Sequence, residues 1–305
     1  MPLCTLHLVQ LYRQSEEEPI FAARRRFLHK LLSKSNGNDL NDRLLSACVV
    51  RRSVIMATRI DHVRLNKTAW DLVLVMKGSK DEKADQAQPL TLENHPLTKA
   101  DIANEYTLPI GVPTRLAEGY KSRTEQLNAE AKRSEHLSIE SLERKPARSV
   151  EQYPPKTSQN LEHSEDLAQL IEDLNKLGTS DGLADGRGPV QQLNFLAFNR
   201  SKEDKERYYQ YGKGFTQAAK PFGGEPKILA KVVNAEEQQK WQEVSLVNYY
   251  SLSHFAGMAA SEEYQEINRK YRLPSLDDTT IFCTQEVDLD GLRKRIQIPQ
   301  SQANL

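Results

Sequence analysis

The stretch from residue 189 to residue 286 constrains the fold more than any other part of the chain. Its apolar runs and helical patterns follow one another in the order strand, helix, strand, strand, helix, strand. The predicted segments, in chain order, are QQLNFLAFN, KEDKERYYQYGKGFTQAAKPF, PKILAKVVN, WQEVSLVNYY, SLSHFAGMAASEEYQEINRKYR and DTTIFCTQEV. This βαββαβ order is the ferredoxin-like arrangement.

Both predicted helices carry signals at their ends. Aromatic and apolar residues of the first helix recur at spacings of three and four, so they share one face: Tyr208, Tyr211, Phe215, Ala218 and Phe222. Ser201 followed by Asp204 is a capping-box-like start, and Pro221 with the glycine pair at 223–224 is a stop. The second helix is interrupted near Ser261, whose hydroxyl can cap a new turn. Two short helices at an angle fit as well as one.

An earlier part of the chain repeats this pattern. WDLVLVMKGS at 70–79 resembles WQEVSLVNYYS at 241–251, and TLHLVQLYR resembles QQLNFLAFNR. Strand, helix, strand and tryptophan-led strand occur twice, which predicts an α+β chain with two diverged ferredoxin-like copies. No fourth strand is evident in the first copy. Residues 97–132 are instead predicted to be helical, with an interruption at 109–113 where two prolines break the hydrogen-bond pattern.

Composition divides the chain into four parts. Residues 1–130 are the expected amino-terminal, diverged ferredoxin-like domain, and residues 131–188 are a polar linker with one helix. Residues 189–288 form the carboxy-terminal ferredoxin-like domain, and residues 289–305 a flexible tail. The linker has several prolines and too few apolar residues to build a core. Its helix is predicted from the apolar spacing between Leu167 and Leu177.

Charge and cysteine usage exclude several classes of protein. The 305 residues include 42 lysines plus arginines and 42 aspartates plus glutamates, so the electrostatic footprint of a dedicated nucleic-acid binder is missing. The amino terminus lacks a basic leader, and no apolar run reaches the roughly 18 to 20 residues of a membrane span. Cys4, Cys48 and Cys283 are far apart, which fits buried free thiols in a reducing compartment. We expect a cytoplasmic protein with no nucleic-acid or membrane partner.

Known catalytic motifs are absent from the sequence. It contains no Walker loop, no GxGxxG, no HExxH, no GxSxG elbow and no paired CxxC. Its seven histidines are scattered without ligand spacing. We therefore expect neither a metal ion nor a cofactor.

His254 is the candidate catalytic residue. It lies in the first turn of the second predicted helix, beside the third strand, where an imidazole can act as an acid or a base. The alternative is a partly exposed histidine without a chemical role. Polar residues inside apolar strands are candidates for ligand binding, because a buried polar group needs a partner; these are Asn194, Ser245 and Asn248.

Two further candidates for ligand binding lie on the helices. Tyr211 carries its phenol toward the sheet, either as a core residue with a satisfied hydroxyl or as a ligand contact. Arg272 precedes Asp277 and Asp278, so it either pairs with an acidic side chain or holds a ligand carboxylate. With the strand residues they predict a pocket beside the sheet of the second copy.

Residues 189–286 resemble the dimeric α+β barrel superfamily, and within it a family of small domains of unknown function. The resemblance rests on YYQYGKGF, the Gly223-Gly224 turn, the strand that begins at Trp241, SLSHFAGM, SEEYQ at 261–265, and Arg272 before a D-T-x-I strand (Asp278, Thr279, Ile281). The whole chain looks like fungal two-domain proteins that append such a domain to a longer amino-terminal half.

The resemblance implies two ferredoxin-like sheets packed face to face. They come from two subunits of a homodimer or, here, from two halves of one monomer, an intramolecular pseudo-dimer. The superfamily includes antibiotic-biosynthesis monooxygenases, muconolactone isomerases and haem-binding relatives, so the fold does not select a function.

Two functional hypotheses follow from this. One is a cofactor-independent oxygenase or isomerase acting on a small apolar or aromatic metabolite. The other is a non-catalytic small-molecule-binding or scaffold protein with a packed barrel. A cavity with converging polar groups favours the first hypothesis, and a filled interior favours the second.

Overall fold

Eight strands close into one barrel in this computed structural model. The structure describes residues 2–33, 39–78, 90–134, 159, 161, 165–179, 182–199, 201–233 and 240–297. The strands are β1 Leu3–Leu11, β2 Leu44–Ile55, β3 Leu72–Lys77, β4 Ile102–Gly111, β5 Val190–Phe198, β6 Glu225–Val232, β7 Glu243–Tyr249 and β8 Leu276–Glu286. The helices are α1 Ile20–Leu32, α2 Leu40–Arg43, α3 His62–Lys67, α4 Thr114–Ser134, α5 Glu165–Leu177, α6 Lys202–Ala219, α7 Leu252–Ala260, α8 Glu262–Ile267 and α9 Leu289–Gln297.

The two halves of the barrel have the same strand order. The first half runs β4-β1-β3-β2 and the second β8-β5-β7-β6, with antiparallel neighbours throughout. The halves join along β2 and β8, from the pair Cys48 and Glu286 to the pair Ile55 and Ile281. They also join where β4 meets β6 through two residue pairs. The two predicted sheets are therefore continuous with each other, and the α+β class is confirmed.

The helix predicted over residues 97–132 is wrong in its first part, because Ile102–Gly111 is the fourth strand of the first half. Its inward-facing side chains, Tyr106, Leu108 and Ile110, recur at every second position and belong to the interior core, as expected of a strand. Pro109 lacks a ladder donor, but its carbonyl still accepts a hydrogen bond from the Val233 amide at 3.0 Å. The second part of the prediction is confirmed by α4, which begins at Thr114.

Apolar side chains from every strand meet inside the barrel. Phe195 of β5 stacks on Tyr106 of β4, across the barrel, with ring centroids 6.2 Å apart. Its edges also meet Trp241 at 5.8 Å and Phe282 at 6.2 Å. Trp70 and Trp241 each precede a strand by two residues, and both belong to this interior cluster. The two tryptophan-led strands thus have equivalent places in the two strand orders.

Helices cover the outer faces of both halves, and their ends follow the sequence signals. The Ser201 hydroxyl accepts a hydrogen bond from the Asp204 amide at 3.0 Å, as the capping box predicts. The predicted break at Ser261 separates α7 from α8, and its hydroxyl accepts from the Tyr264 amide. A π-helical turn, Asn268–Arg272, continues α8.

The linker and the tail are described in part. Residues 135–158, most of the predicted linker, lie outside the described residues. The predicted linker helix is α5, which ends before Gly178 in the left-handed conformation, at φ 52°. The tail was predicted to be flexible, but α9 occupies its first nine residues, 289–297, because Leu292 is buried against the outer core of the first half.

The three cysteines are free and buried, as predicted. Burial raises the pKa of the Cys4 thiol to about 11, and the pKa values of Cys48 and Cys283 to about 12. Such thiols are poor nucleophiles at neutral pH. Among the described helices, none combines the length and apolar character needed to cross a membrane.

Candidate functional site

A cavity of about 420 Å³ lies on the outer side of the second half, between the sheet and helices α6 and α8. This volume is within the range of roughly 300 to 1,000 Å³ typical of small-molecule sites. Aromatic side chains dominate its walls: Tyr208, Tyr211, Phe215, Tyr249, Phe255 and Tyr264. Tyr209 and Leu229 are each about half exposed where they line the cavity, so its mouth lies between α6 and β6.

The helical spacing of α6 places its aromatic rings in one row. The centroids of Tyr208 and Tyr211 are 5.3 Å apart, and those of Tyr211 and Phe215 are 5.7 Å apart. Tyr211 also meets the edge of Tyr264 from α8 at 6.5 Å. Burial raises the pKa of the Tyr211 phenol far above its ordinary value. The phenols are therefore neutral at physiological pH.

Strand alternation decides which polar strand residues reach this cavity. Asn194 and Ser245 are paired in register between β5 and β7, and both line the cavity. Asn248 is three positions after Ser245, an odd spacing that places it on the opposite face of the sheet. There it accepts a hydrogen bond from the Gln191 side-chain amide at 3.0 Å. The prediction that Asn248 joins Ser245 in one pocket is therefore wrong.

His254 is buried in α7 but does not line the cavity, although its neighbour Phe255 does. Its Nδ1 lies 2.8 Å from the Ser251 hydroxyl, and its ring packs edge-on against Tyr250 at 5.6 Å. Its Nε2 has no hydrogen-bond partner among the described residues. Burial lowers the pKa of His254 below its ordinary value, so the neutral imidazole is favoured. Of the residues predicted to line the pocket, Tyr211 and Arg272 therefore line the cavity, and His254 does not.

Arg272 borders the cavity at its buried end, with 2% of the residue exposed. One guanidinium nitrogen, Nη1, donates to the Gln159 carbonyl at 3.2 Å and to the Asn268 side-chain oxygen at 3.4 Å. The other, Nη2, has no partner among the described residues. Leu161, two residues after Gln159, also lines the cavity, so part of the predicted linker borders the site.

Glu243 is the one acidic side chain among the lining residues, and it was not among the site residues predicted from the sequence. Burial raises the pKa of its carboxyl, while the charges of Lys205 and Lys231 oppose that rise. Glu243 shares its strand face with Ser245 and Val247, at spacings of two and four residues. Because side chains of a strand alternate between its two faces, the candidate Ser245 could have predicted that Glu243 shares its face.

A second buried polar group lies in the first half, on the outer face of β1 and β4. His7 Nδ1 lies 2.6 Å from a Glu105 oxygen, and both residues are buried. The same carboxylate accepts from the amides of Leu92 at 3.0 Å and Glu93 at 2.9 Å. Burial raises the pKa of Glu105, but the bonds and charge of His7 and the two amides outweigh it and lower the pKa. This carboxylate holds the segment before β4 in place.

Metal-binding groups are not assembled in the part of the chain that the structure describes. No cluster of three or more histidine, cysteine, aspartate or glutamate side chains with metal-binding geometry occurs there. The candidate site is instead an aromatic cavity lined by the buried cation Arg272, the partly buried acid Glu243 and the exposed Lys231.

Comparison with known proteins finds similarity in fold but none in sequence. No protein-family model matches the chain, and no curated protein has a similar sequence. The fold is similar to a provisionally named monooxygenase from Fusobacterium nucleatum subsp. nucleatum, with TM-score 0.43 and 7% identity over 94% of this chain and 93% of that one.

Two further solved structures are similar at the same low level. A mutant chlorite dismutase from Candidatus Nitrospira defluvii has TM-score 0.41 and 11% identity over 96% of this chain and 94% of that one. The methylated protein RPA0582 covers 42% of this chain with 96% of its own length, at TM-score 0.31 and 15% identity. Similarity at this level carries no information about function.

Proposed function

We propose that this protein is a cofactor-independent enzyme, an isomerase or oxygenase, acting on a small apolar or aromatic molecule in the cavity of the second half. The observation that carries the proposal is an acid with a raised pKa, Glu243, in the wall of an aromatic cavity of about 420 Å³. An acid perturbed by burial inside a cleft is the kind of group that performs acid–base catalysis near neutral pH.

Proton transfer to Glu243 is the first step of the proposed reaction. The ionised carboxylate takes a proton from an acidic C–H or O–H bond of the substrate and leaves a delocalised anion. In an isomerase the proton returns to a different carbon. In an oxygenase the anion gives two electrons to dioxygen and forms a C–O bond; the resulting peroxide anion takes the proton from Glu243, and the hydroperoxide loses water to leave a carbonyl group. The tyrosine rings pack against the planar part of the substrate. Tyr211, Asn194 and Ser245 supply polar contacts that orient the substrate.

Hydrogen exchange tests this step without a known substrate. The protein is incubated in deuterated buffer with a panel of arylpyruvates and arylacetates, and deuterium uptake is followed by proton NMR. We expect uptake by at least one compound to be accelerated, and the Glu243→Gln variant to lose the acceleration. Glu203→Gln, a change of an exposed α6 carboxylate, is the matched control. Acceleration that survives in Glu243→Gln contradicts the assigned role.

His254 enters the proposal only as a second candidate acid or base. Its Nε2 is free of hydrogen bonds within the described residues, and its neutral form is favoured. If hydrogen exchange survives in Glu243→Gln but is lost in His254→Gln, the catalytic role belongs to the histidine.

A non-catalytic binding or scaffold protein is the alternative, and the aromatic packing of Phe195, Trp241 and Phe282 inside the barrel favours it. Under that reading the cavity binds a ligand without turnover. Binding of aromatic compounds with no exchange in any of them supports the alternative.

The architecture proposed with this function is a single-chain member of the dimeric α+β barrel superfamily. Its two diverged ferredoxin-like copies are residues 1–130 and 189–288, joined by the linker 131–188. The shared strand order and the paired positions of Trp70 and Trp241 support it. One chain then supplies both halves, so a monomer is sufficient; a homodimer predicts a doubled mass in light scattering.

A further inference from the structure

Arg272 is a buried cation that forms no ion pair with any acidic side chain among the described residues. It is 2% exposed, and both acceptors of its Nη1 are neutral oxygens, the Gln159 carbonyl and the Asn268 amide. No ion pair joins it to a carboxylate within the described part of the chain, and its Nη2 has no hydrogen-bond partner there. Burying a charged group is costly unless that group is paired.

The acids next to Arg272 in sequence are engaged elsewhere. Asp277 pairs with Arg59. Asp278 accepts hydrogen bonds from the amides of Arg59 at 2.9 Å and Ile60 at 2.8 Å. Among the described residues, neither aspartate therefore forms the internal salt bridge with Arg272, and this favours the other alternative, a ligand carboxylate.

The position of Arg272 is fixed by the backbone. It is the last residue of the π-helical turn Asn268–Arg272, and Pro274 follows in the next turn. Turns of this kind are rare and occur often at functional sites. The Nη1 bonds to Gln159 and Asn268 hold the guanidinium against the cavity.

The surroundings of Arg272 favour a singly charged, planar anion. Burial raises the pKa of the Tyr208 and Tyr264 phenols, and the charge of Arg272 only partly opposes it. The phenols therefore do not neutralise the arginine. Of the charged groups around Glu243, Lys205 and Lys231 are exposed, and Glu243 itself is partly buried. A guanidinium matches the two oxygens of a carboxylate through parallel hydrogen bonds.

We propose that the cavity selects aromatic or apolar molecules that carry a carboxylate, and that Arg272 binds this group at the buried end. This inference rests on the proposed function, because it needs the cavity to be a binding site. It adds the charge and orientation of the ligand: the carboxylate lies at Arg272 and the apolar body lies between the sheet and the α6 tyrosines.

Isothermal titration with a matched pair of probes tests the inference. Naphthalene-2-carboxylate and naphthalene-2-carboxamide have nearly the same shape and differ in charge. We expect the wild-type protein to bind the carboxylate at least tenfold more tightly than the amide. Arg272→Met should weaken carboxylate binding at least tenfold and leave amide binding within a factor of two. Lys231→Met, which removes an exposed cation at the mouth, is the control and should retain the preference.

The outcomes separate the inference from the proposed function. Equal binding of both probes by the wild-type protein overturns the inference and leaves the cavity a binding site. A preference that persists in Arg272→Met also overturns it. Binding of neither probe overturns the proposed function and the inference together. The wild-type comparison stands even if Arg272→Met does not fold, and Ser245→Phe, which fills the cavity, should abolish binding of both probes.

Discussion

Phe195→Ala should destabilise both halves of the barrel equally. Phe195 is fully buried, and its ring contacts Tyr106 of the first half as well as Trp241 and Phe282 of the second. Removing a buried phenylalanine side chain costs about 3 to 5 kcal/mol. Each aromatic pair contributes about 0.5 to 1.5 kcal/mol, and the substitution removes three pairs. We therefore expect a loss of stability at the upper end of the range of about 3 to 5 kcal/mol. This is a large share of the roughly 5 to 15 kcal/mol that stabilises a typical protein.

The two tryptophans allow each half to be followed separately. Urea unfolding is measured by fluorescence in a Trp241→Phe background, where Trp70 reports on the first half, and in a Trp70→Phe background, where Trp241 reports on the second. One closed barrel predicts a single transition in each background, and Phe195→Ala should lower the midpoint in both, including the Trp241→Phe background in which only Trp70 of the first half reports.

An exposed aromatic residue supplies the control for this experiment. Phe21→Ala removes a side chain that is 38% exposed and should shift the midpoints by much less. A Trp70 midpoint that Phe195→Ala leaves unchanged, while the Trp241 midpoint falls, would refute the continuous interior core.

Glu105, the glycines of α6 and Glu243 each give a further prediction. Glu105→Gln should lower the free energy of unfolding by about 1.5 to 3 kcal/mol at pH 7, because charged hydrogen bonds are lost. Since the pKa of Glu105 is lowered in the folded protein, the stability difference between wild type and variant is complete above the ordinary pKa of about 4.3 and disappears as the pH falls through the folded pKa. Urea titrations across that pH range measure this difference. Gly212→Ala should stabilise α6 by about 0.5 to 1 kcal/mol, since nothing lies within 4 Å of the added carbon, whereas Gly214→Ala meets Ile267 at 3.0 Å and should gain nothing in thermal melts. If Glu243 is the base, the rate of hydrogen exchange should rise with pH through a midpoint above 4.5, and a midpoint below that value contradicts the assignment.

The element order of the second half was predictable because its local signals agree. Helical spacing in α6, the caps at Ser201 and Ser261, and apolar strand runs all indicated the same segments. β4 was missed because Pro109 was weighed as a break in a helix, while the alternation of Tyr106, Leu108 and Ile110 was not weighed at all. A proline in a strand loses one donor but keeps its carbonyl, so it does not exclude the strand.

The candidate site was predicted in part, and the errors have physical reasons. Asn248 and Ser245 were grouped by their polarity in an apolar run, although their odd spacing places them on opposite faces. Whether Arg272 pairs with an acid or with a ligand depended on the partners of Asp278. The amides that bind Asp278 are more than 200 residues away in sequence. No pattern within one segment reports such a contact.

A crystal structure of the protein with naphthalene-2-carboxylate tests the account most directly. The account predicts the naphthalene rings between α6 and the outer face of β7, beside Tyr211, and a carboxylate oxygen within about 2.7 to 2.9 Å of an Arg272 guanidinium nitrogen. Density for the probe at any other place, or an empty cavity in crystals grown at saturating probe, would contradict it.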